Sequence, residues 1–338
     1  MALTGWNSFQ YDTLGWSFDG ASTTRTAGTG QSGYASLRST AGANCYSRYA
    51  FTANTHIITG FCFKATSVLD KAFFYLNSTS TTGTPDMTLR VEGDGSVAAY
   101  RSNTTVLLGQ STSGYFVSDV ENYVEVRCKA STTVGEIEVR LNGAPVPILN
   151  LAGINAGLST VGQITLLGAP TGTRDFSAWY LLNVDASSPS NFLGHIRYGV
   201  LTPTANGSNS NWLGSDSDMT DNYLLVDDPA ITPDDDSTYV QASVVGTTDL
   251  YQMTNLPTTA LSIVAVCPVF RSRKTDAGSR AVAPVIRIGS TDYPQTEAFQ
   301  STSYSPYRTA ALTTNPNTAA AWTEAAVNAM QVGQKVST

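Results

Sequence analysis

The stretch Met87-Thr88-Leu89-Arg90-Val91-Glu92-Gly93-Asp94-Gly95 contains the pattern that decides the fold. Its apolar residues Met87, Leu89 and Val91 alternate with polar ones, which is the period-two pattern of a β-strand with one buried face. Gly93-Asp94-Gly95 follows at once, and glycine tolerates positive φ, so the stretch predicts a strand that runs into a hairpin turn.

The same period recurs along most of the chain. Ile137, Val139 and Leu141 alternate with charged residues, and Asn142-Gly143 then gives a strong type I′ turn signal. The best helical candidate, Trp322 to Met330, supports two turns at most. Short strands with frequent polar turns favour β-sandwiches over βαβ units, so we predict an all-β fold class.

The length of 338 residues suggests two domains. A break in composition from Thr202 to Asn211, rich in Asn, Gly and Ser, is typical of linkers. Strand patterns resume after it, and Leu261 to Phe270 and Val282 to Ile288 read as a long hairpin. We therefore predict two jelly-roll-like β-sandwich domains in tandem, at residues 1–203 and 212–338, joined by a linker at residues 204–211.

The charge pattern argues against two classes of partner. Only 13% of the residues are charged, against roughly 25% in an ordinary protein. Lys and Arg are scattered, which predicts no binding to nucleic acid and no polybasic membrane anchor. The longest apolar stretch, Leu261 to Phe270, falls short of the roughly 20 residues that span a bilayer.

The N-terminus and the cysteines indicate where the chain is made. Met1-Ala2-Leu3-Thr4-Gly5-Trp6 has neither the positive region nor the apolar region of a signal peptide, which predicts synthesis in the cytoplasm. The four cysteines lie far apart, so we expect no disulfide framework and no zinc site. Cys128 alternates with valines and reads as a small buried hydrophobe.

Two segments of the first half resemble a known class of domain. Tyr123 to Val146 reads as two antiparallel strands closed by Asn142-Gly143, and Asp175 to Leu182 leads into Phe192 to Arg197. The former segment resembles the strand pair of laminin-G-like, or concanavalin A-like, jelly-roll domains. The latter is similar to the closing strands of such domains in tailed-phage virion proteins.

The second half is similar to a domain that follows the jelly roll in many phage structural and tail proteins. The segments that carry this similarity are Asn222 to Pro229, Pro233 to Val240, Lys274 to Arg280 and Thr318 to Asn328. The resemblance covers nearly the whole chain and implies a role in the virion. It transfers no catalytic residues.

The sharpest enzymatic alternative is a glycan depolymerase. Some jelly-roll glycan hydrolases carry their acids on one strand in the pattern Glu-x-Asp-x-x-Glu. Glu136 and Glu138 match only its beginning, and Leu141 stands where the second essential glutamate should be, so we interpret these acids as a solvent-facing charged row. The two histidines, His56 and His195, are isolated and no nucleophile elbow is present. We therefore predict no enzymatic activity.

Two sets of residues are candidates for ligand binding. Asp234, Asp235 and Asp236 offer carboxylate oxygens for calcium, or they form a solvated acidic turn. The aromatic rings of Trp179, Tyr180 and Trp212 offer faces on which sugars stack, or they serve packing alone. On a strand, one of Trp179 and Tyr180 must face the core.

The composition resembles that of extracellular proteins although the chain has no export signal, which fits a virion protein released by lysis and would also fit a truncated secreted protein. We expect a structural or accessory protein at the virion surface: a head fibre, a capsid decoration or a tail component. It would contact other virion proteins and copies of itself, as a trimer by analogy with phage fibres. The alternative function is a receptor-binding lectin of the tail that recognises host surface glycans.

Overall fold

A computed structural model provides the structure of this chain. It divides into two compact units, Met1–Tyr198 and Gly199–Thr338. The residues that the structure describes are 2–7, 16–19, 23–31, 35–40, 45–67, 70–79, 84–168, 171–184, 191–229, 232–257 and 262–338. Strands dominate both units, so the predicted all-β fold class is confirmed.

The first unit forms two antiparallel sheets in its described residues. In chain order, the strands are β1 (Ala2–Asn7), β2 (Trp16–Asp19), β3 (Thr23–Thr26), β4 (Ser36–Ser39), β5 (Tyr46–Asn54), β6 (His56–Ala65), β7 (Lys71–Asn77), β8 (Met87–Val91), β9 (Val97–Arg101), β10 (Val106–Gln110), β11 (Asn122–Lys129), β12 (Gly135–Leu141), β13 (Leu149–Ile154), β14 (Val161–Leu167) and β15 (Arg174–Asn183). Sheet A has the order β13-β12-β11-β6-β15-β4-β3, with β1 also paired to β15, and sheet B has the order β10-β9-β8-β7-β14-β5-β2.

The connections between these strands cross from one sheet to the other. Strand β6 lies between β11 and β15, and β14 lies between β5 and β7, so neighbours in space are often distant in sequence. Such crossing connections are typical of jelly rolls and other double-sheet sandwiches. The predicted sandwich architecture of the first unit is therefore present.

Aromatic side chains from the two sheets meet in the core between them. Phe61 and Phe63 of sheet A stack on Phe74 and Phe73 of sheet B, with ring centroids 5.4 and 5.3 Å apart. All four rings are fully buried, and burial of each stabilises the fold by roughly 1.5–3 kcal/mol. Alternation places Phe61 and Phe63 on one side of β6. The consecutive Phe73 and Phe74 both reach the core because the pairing of β7 with β8 is irregular between Ala72 and Phe74.

The opposite face of sheet A is also covered. Residues 191–198, here termed the covering segment, pack on an apolar cluster that includes Ile58, Tyr123 and Tyr180. The Tyr198 hydroxyl donates a 2.7 Å hydrogen bond to the Trp179 carbonyl. These residues have no regular secondary structure, whereas the sequence suggested strands there.

The pair of strands predicted between residues 123 and 146 is confirmed, but its turn is different. Strands β11 and β12 are antiparallel, and Lys129 pairs with Glu136, so residues 130–134 close the hairpin. Asn142 and Gly143 both have positive φ, as a type I′ turn requires, and they lie beyond β12 on the way to β13. The turn signal was correct and its assignment to the hairpin was wrong.

The second unit is built on one larger antiparallel sheet and two small ones in its described part. The elements are β16 (Pro203–Ser210), β17 (Leu213–Gly214), β18 (Val240–Gln241), β19 (Thr248–Met253), β20 (Val269–Ser272), β21 (Ala281–Ile288), β22 (Thr291–Pro294), β23 (Ala298–Phe299), β24 (Ser305–Arg308), helix α1 (Glu324–Asn328) and β25 (Gln331–Val336), with a 3-10 turn at Asn222–Leu225. The larger sheet has the order β16-β19-β25-β21-β22, with β23 also on β21, and the small sheets are β17-β18 and β20-β24.

Helix α1 lies within the predicted helical stretch. Thr323 caps its N-terminus by accepting a hydrogen bond from the backbone N–H of Ala326. Trp322, Val327 and Met330 pack with Ile286 in the core of the unit. Within the described residues, no helix is long and apolar enough to cross a membrane.

The predicted linker at residues 204–211 is wrong. Residues 203–210 form the edge strand β16, which pairs with β19. The composition suits this position, because a Cβ at Gly207 would lie 2.7 Å from the Leu250 carbonyl group. The Asn206 side chain donates to the carbonyl oxygens of Met219 and Thr220. Glycine and amides thus fit a close strand contact, and the boundary between the units lies at Tyr198 and Gly199 rather than at 203 and 212.

The predicted hairpin between residues 261–270 and 282–288 is also absent. Residue 261 lies outside the described residues, and β20 pairs with β24. Strand β21 pairs instead with β22, β23 and the distant β25. Periodicity located these strands, but it contains no information about which of them become neighbours.

Candidate functional site

The three aromatic residues predicted to stack on sugars are buried. Trp179 is 0% exposed and lies between the sheets against Trp16 and Tyr49, with its indole N–H donated to Thr59 Oγ1 at 3.0 Å. Tyr180 is also 0% exposed, because the covering segment lies over its side of sheet A.

Trp212, in the second unit, is 7% exposed and donates its indole N–H to the Thr247 carbonyl. A sugar needs an accessible ring face to stack on, and none of these three rings offers one. The predicted glycan-binding role of Trp179, Tyr180 and Trp212 is therefore wrong, and the packing alternative is correct.

The aspartates predicted to bind calcium have protein partners. Asp235 accepts two hydrogen bonds from the Arg271 guanidinium, at 2.6 and 2.8 Å, and Asp236 accepts one from Arg273 at 2.6 Å. Asp234 instead accepts hydrogen bonds from the Thr238 hydroxyl. Among the described residues, the oxygens of these three carboxylates do not all lie within 4.8 Å of one another, so Asp234, Asp235 and Asp236 do not form a common calcium site.

The described residues bring together a different set of acids. Carboxylate oxygens of Asp216, Asp218 and Asp221 lie within 4.8 Å of one another. Asp218 accepts the backbone N–H of Thr220, and Asp216 accepts that of Asp218. These two hydrogen bonds within the turn are sufficient to account for the conformation of the loop.

The charged row on β12 is partly buried. Glu138 is 8% exposed and binds Arg127 at 3.0 Å and Arg140 at 2.7 Å, while Glu136 pairs with Lys129 at 3.0 Å. These contacts correct the interpretation of Glu138 as solvent-facing. These ion pairs connect both glutamates to basic side chains at neighbouring positions of sheet A.

The two histidines are held in unrelated places. His195 is exposed, its ring stacks on that of Tyr123 at 4.8 Å, and its Nε2 lies 2.6 Å from the side-chain amide of Gln31. His56 begins β6, and burial followed by the nearby Arg127 lowers its pKa. Neither histidine lines the polar cleft of the first unit.

A polar cleft opens on sheet A of the first unit, where β6 ends and where β11 and β15 begin. Its volume is about 270 Å³, slightly below the roughly 300–1,000 Å³ of pockets that hold drug-sized ligands. It is lined by Gly28, Thr29, Gly30, Arg38, Lys64, Ala65, Thr66, Asp119, Glu121, Thr173 and Asp175. None of these residues is aromatic, and most offer a hydrogen-bond donor or acceptor.

An ion pair between two strands forms part of the wall of the cleft. Arg38 of β4 donates from Nε to one oxygen of Asp175 and from Nη2 to the other, both at 2.8 Å. Asp175 of β15 also accepts the Ser36 hydroxyl at 2.7 Å. With both oxygens occupied, Asp175 positions the guanidinium of Arg38 rather than offering a free carboxylate.

Three further ionic groups face the cleft. In the described part of the chain, neither the Lys64 amine nor the Asp119 carboxylate has an ion-pair or hydrogen-bond partner. Glu121 lies beside the Cys62 thiol, whose pKa is raised well above its usual value by burial and then by the Glu121 charge. The cleft therefore presents one cation and two carboxylates to a ligand, besides the paired Arg38.

Hydrogen bonds fix the loops around the cleft before any ligand arrives. Thr66 and Thr173 exchange two of them, at 2.9 and 3.0 Å, across the ends of β6 and β15. Thr29 lies 2.6 Å from the Ser36 hydroxyl, and the Gln31 backbone donates to Ser177. A site whose groups are already in place loses little conformational entropy on binding.

No protein-family model and no curated protein matches the chain. Among solved structures, the cellulose-induced protein Cip1 is 15% identical with a TM-score of 0.42, covering 53% of this chain and 97% of that one. The VIP36 exoplasmic/lumenal domain, Ca2+/Man3GlcNAc-bound, is 12% identical with a TM-score of 0.38, covering 54% and 89%. The carbohydrate-binding module CBM66 from Bacillus subtilis is 9% identical with a TM-score of 0.33, covering 49% and 94%. Similarities this remote carry no functional argument.

Proposed function

We propose that the first unit is a non-catalytic, lectin-like domain that binds one sugar residue of a glycan in the polar cleft. The observation that carries this proposal is the lining of the cleft by donors and acceptors on prearranged strands and loops. A sugar hydroxyl both donates and accepts hydrogen bonds, so it suits a wall that alternates cations, carboxylates and threonine hydroxyls.

The roles of the residues follow from their chemistry. The Lys64 amine donates to ring or hydroxyl oxygens, and the carboxylates of Asp119 and Glu121 accept from hydroxyls. Arg38, held by Asp175, directs its remaining N–H groups at a fixed angle. Hydrogen bonds to charged groups contribute roughly 1.5–3 kcal/mol each, which gives a small site useful affinity without an aromatic platform.

The side chains that line the cleft also support the proposal that the chain has no enzymatic activity. Glycoside hydrolysis needs one acid and a second carboxylate on opposite sides of the scissile bond. Both oxygens of Asp175 are bound by Arg38 and Ser36. The two other carboxylates of the lining, Asp119 and Glu121, stand two residues apart on one loop, so we expect both on the same side of a bound sugar. We therefore expect the cleft to hold a sugar and release it unchanged.

Binding to an array of defined glycans, followed by calorimetry on the best ligand, tests this function. Lys64→Met should weaken binding about tenfold or more, since a lost hydrogen bond from a charge is worth about 1.4 kcal/mol or more. Lys71→Met, on sheet B and outside the cleft, is the matched control and should bind like the wild type. Equal affinities of the two variants would contradict the assignment of the cleft, and shortened glycan chains would contradict the lack of catalysis.

The resemblance found in the sequence supports a second proposal about the setting. We propose that the chain is a virion protein at the surface of a phage particle, in contact with other virion proteins and with copies of itself. Repetition, as in a trimer, would convert a weak single-site affinity for host glycans into strong attachment. Light scattering of the purified protein and a reconstruction of the particle test this. A lone subunit that touches neither a copy nor another virion protein would contradict it.

A further inference from the structure

Arg174, the first residue of β15, is a fully buried arginine whose side chain joins the two sheets of the first unit. It is 0% exposed, and its Nη1 donates to the backbone carbonyls of Ala72 at 2.6 Å, Leu167 at 3.0 Å and Gly168 at 3.3 Å. Ala72 and Leu167 belong to β7 and β14 of sheet B, so the guanidinium reaches across the core from sheet A. These carbonyl groups use both hydrogens of Nη1.

The other edge of the same guanidinium has no protein acceptor. Among the described residues, neither Nε nor Nη2 of Arg174 has a hydrogen-bond partner, although both atoms are buried. Arg38 binds the two oxygens of Asp175 with these same two atoms. Nε and Nη2 direct their hydrogens in parallel to one side, which is the geometry with which arginine binds anions. Arg174 therefore presents an anion-binding edge to the interior of the protein.

The hydroxyl of Ser39 lies next to this guanidinium. Ser39 and Arg174 are directly opposite each other in the register of β4 and β15, so their side chains lie on the same face of sheet A. They also share a neighbour, because the Gly168 carbonyl accepts from Arg174 and a Cβ added to Gly168 would overlap Ser39 Oγ. Ser39 is 3% exposed, and within the described part of the chain its hydroxyl has no hydrogen-bond partner.

The positive charge of Arg174 needs a compensating charge. Burial lowers the pKa of its guanidinium to about 10, which keeps the group protonated at neutral pH, and no carboxylate of a described residue opposes this shift. A buried ion is strongly destabilising unless a charge of opposite sign accompanies it. A water molecule could accept hydrogen bonds from Nε and Nη2, but it would leave the charge uncompensated.

We propose that the Nε–Nη2 edge of Arg174 and the Ser39 hydroxyl bind one small inorganic anion of single charge, such as chloride, in the interior of the first unit. The anion accepts hydrogen bonds from the guanidinium and the hydroxyl, and it neutralises the buried charge. The ligand is small because all three donor atoms are closed off from solvent. Neither residue lines the polar cleft, so this inference is independent of the proposed function.

Thermal unfolding of the full chain at increasing chloride, with sodium gluconate holding the ionic strength constant, tests the proposal in solution. A ligand that binds only the folded state raises the melting temperature, and the first unit should gain roughly 3–6 °C per tenfold increase in chloride above half-saturation. Arg174→Met removes the charge and should remove this dependence. Arg90→Met is the matched control and should keep it, because Arg90 already pairs with Asp70 and Glu92.

A second variant keeps the test decisive even if Arg174→Met does not fold. Ser39→Asp places a carboxylate directly opposite Arg174, where it takes the place of the free anion. Without chloride, this variant should melt at or above the temperature that the wild type reaches at saturating chloride. Added chloride should then raise its melting temperature no further, and a chloride dependence equal to that of the wild type would contradict the site.

Crystals of the wild type soaked in sodium bromide locate the ion directly by its anomalous scattering. A bromide peak beside Nε and Nη2 of Arg174, together with a chloride dependence that Arg174→Met or Ser39→Asp loses, supports the proposal. A water molecule alone at that position overturns it. An equal effect of chloride on the wild type, Arg174→Met and Arg90→Met also overturns it, since the effect would then be that of salt in general.

Discussion

Arg38 and Asp175 form a two-pronged ion pair although 137 positions separate them in the sequence. Both hydrogen bonds are 2.8 Å long, and the carboxylate is nearly buried whereas the guanidinium is about one-third exposed. The pair joins β4 to β15 and provides one wall of the cleft. The stability of the first unit and the proposed binding of a sugar therefore depend on the same contact.

Asp175→Asn should weaken both stability and glycan binding. The amide cannot accept from both donors of Arg38, so we expect a loss of about 1–3 kcal/mol in the free energy of unfolding, together with weaker sugar binding. Urea unfolding and calorimetry measure the two effects. Asp70→Asn is the control, because its ion pair with Arg90 is longer, at 3.3 Å, and largely exposed. A variant as stable as the wild type would show that the ion pair contributes nothing.

Trp179→Phe should destabilise the first unit without a specific effect on glycan binding. The substitution removes the indole hydrogen bond to Thr59 and leaves a gap beside Trp16, at a cost of roughly 2 kcal/mol. Its affinity for a glycan, measured well below the melting temperature, should equal that of the wild type. A specific loss of affinity in a folded variant would restore the stacking role that burial excludes.

Glu125 makes stability depend on pH. Its carboxylate accepts hydrogen bonds from the Tyr180 hydroxyl and the backbone N–H of Gly194. Burial is the main cause that raises its pKa, with a smaller contribution from Glu138, while the hydrogen bonds and Arg140 oppose the shift. The folded state therefore holds the proton more tightly than the unfolded state, and ionisation of this group costs stability.

Glu125→Gln removes that ionisation and should change the pH dependence of the free energy of unfolding in one direction. Compared with the variant, the wild type should lose stability as the pH rises from about 4.5, the ordinary pKa of a glutamate, through the raised pKa of the folded state. Above that range the difference should stay constant. Urea midpoints measured at several pH values test this, with Glu136→Gln as a control on a half-exposed glutamate. A wild type that instead loses stability relative to the variant as the pH falls would contradict the sign.

Truncation should show that residues 203–210 belong to the second unit. A fragment that begins at 199 retains β16, whereas one that begins at 212 exposes the edge of β19 and removes Asn211, whose backbone donates to Asp249 at 2.9 Å. We expect the longer fragment to fold and the shorter one to aggregate or to melt at a lower temperature. Circular dichroism and light scattering compare them, and equal behaviour would favour a linker after all.

Local alternation made much of the fold predictable. Met87 to Val91 forms a strand as expected, and Cys128 is fully buried, because a side chain on a strand has only two directions to choose from. The residues from Tyr223 to Val226 show where this reasoning ends. Their apolar run reads as a strand, but they lie in and beside a 3-10 turn, where the Tyr223 backbone N–H donates to the Asn206 side chain rather than to a neighbouring strand's carbonyl.

The cleft was beyond prediction for a related reason. Arg38 and Asp175 meet only because β4 pairs with β15, and no pattern within either strand encodes that pairing. Tyr180 was open to two interpretations because alternation places it opposite Trp179. Its burial depends on the covering segment, whose weakly patterned sequence gave no sign that it lies across sheet A.

The covering segment also sets how freely the chain can vary. Because sheet A is covered on both sides along β15, nine of the ten residues of that strand are buried, and opposite Tyr180 even a Cβ at Gly60 would overlap the ring. A strand with one solvent-exposed face tolerates substitutions at every second position, but β15 has almost no exposed positions. In a library of single substitutions, Arg174–Asn183 should therefore be among the strands least tolerant of replacement, and its residues should be among the last to drift in descendants of this sequence.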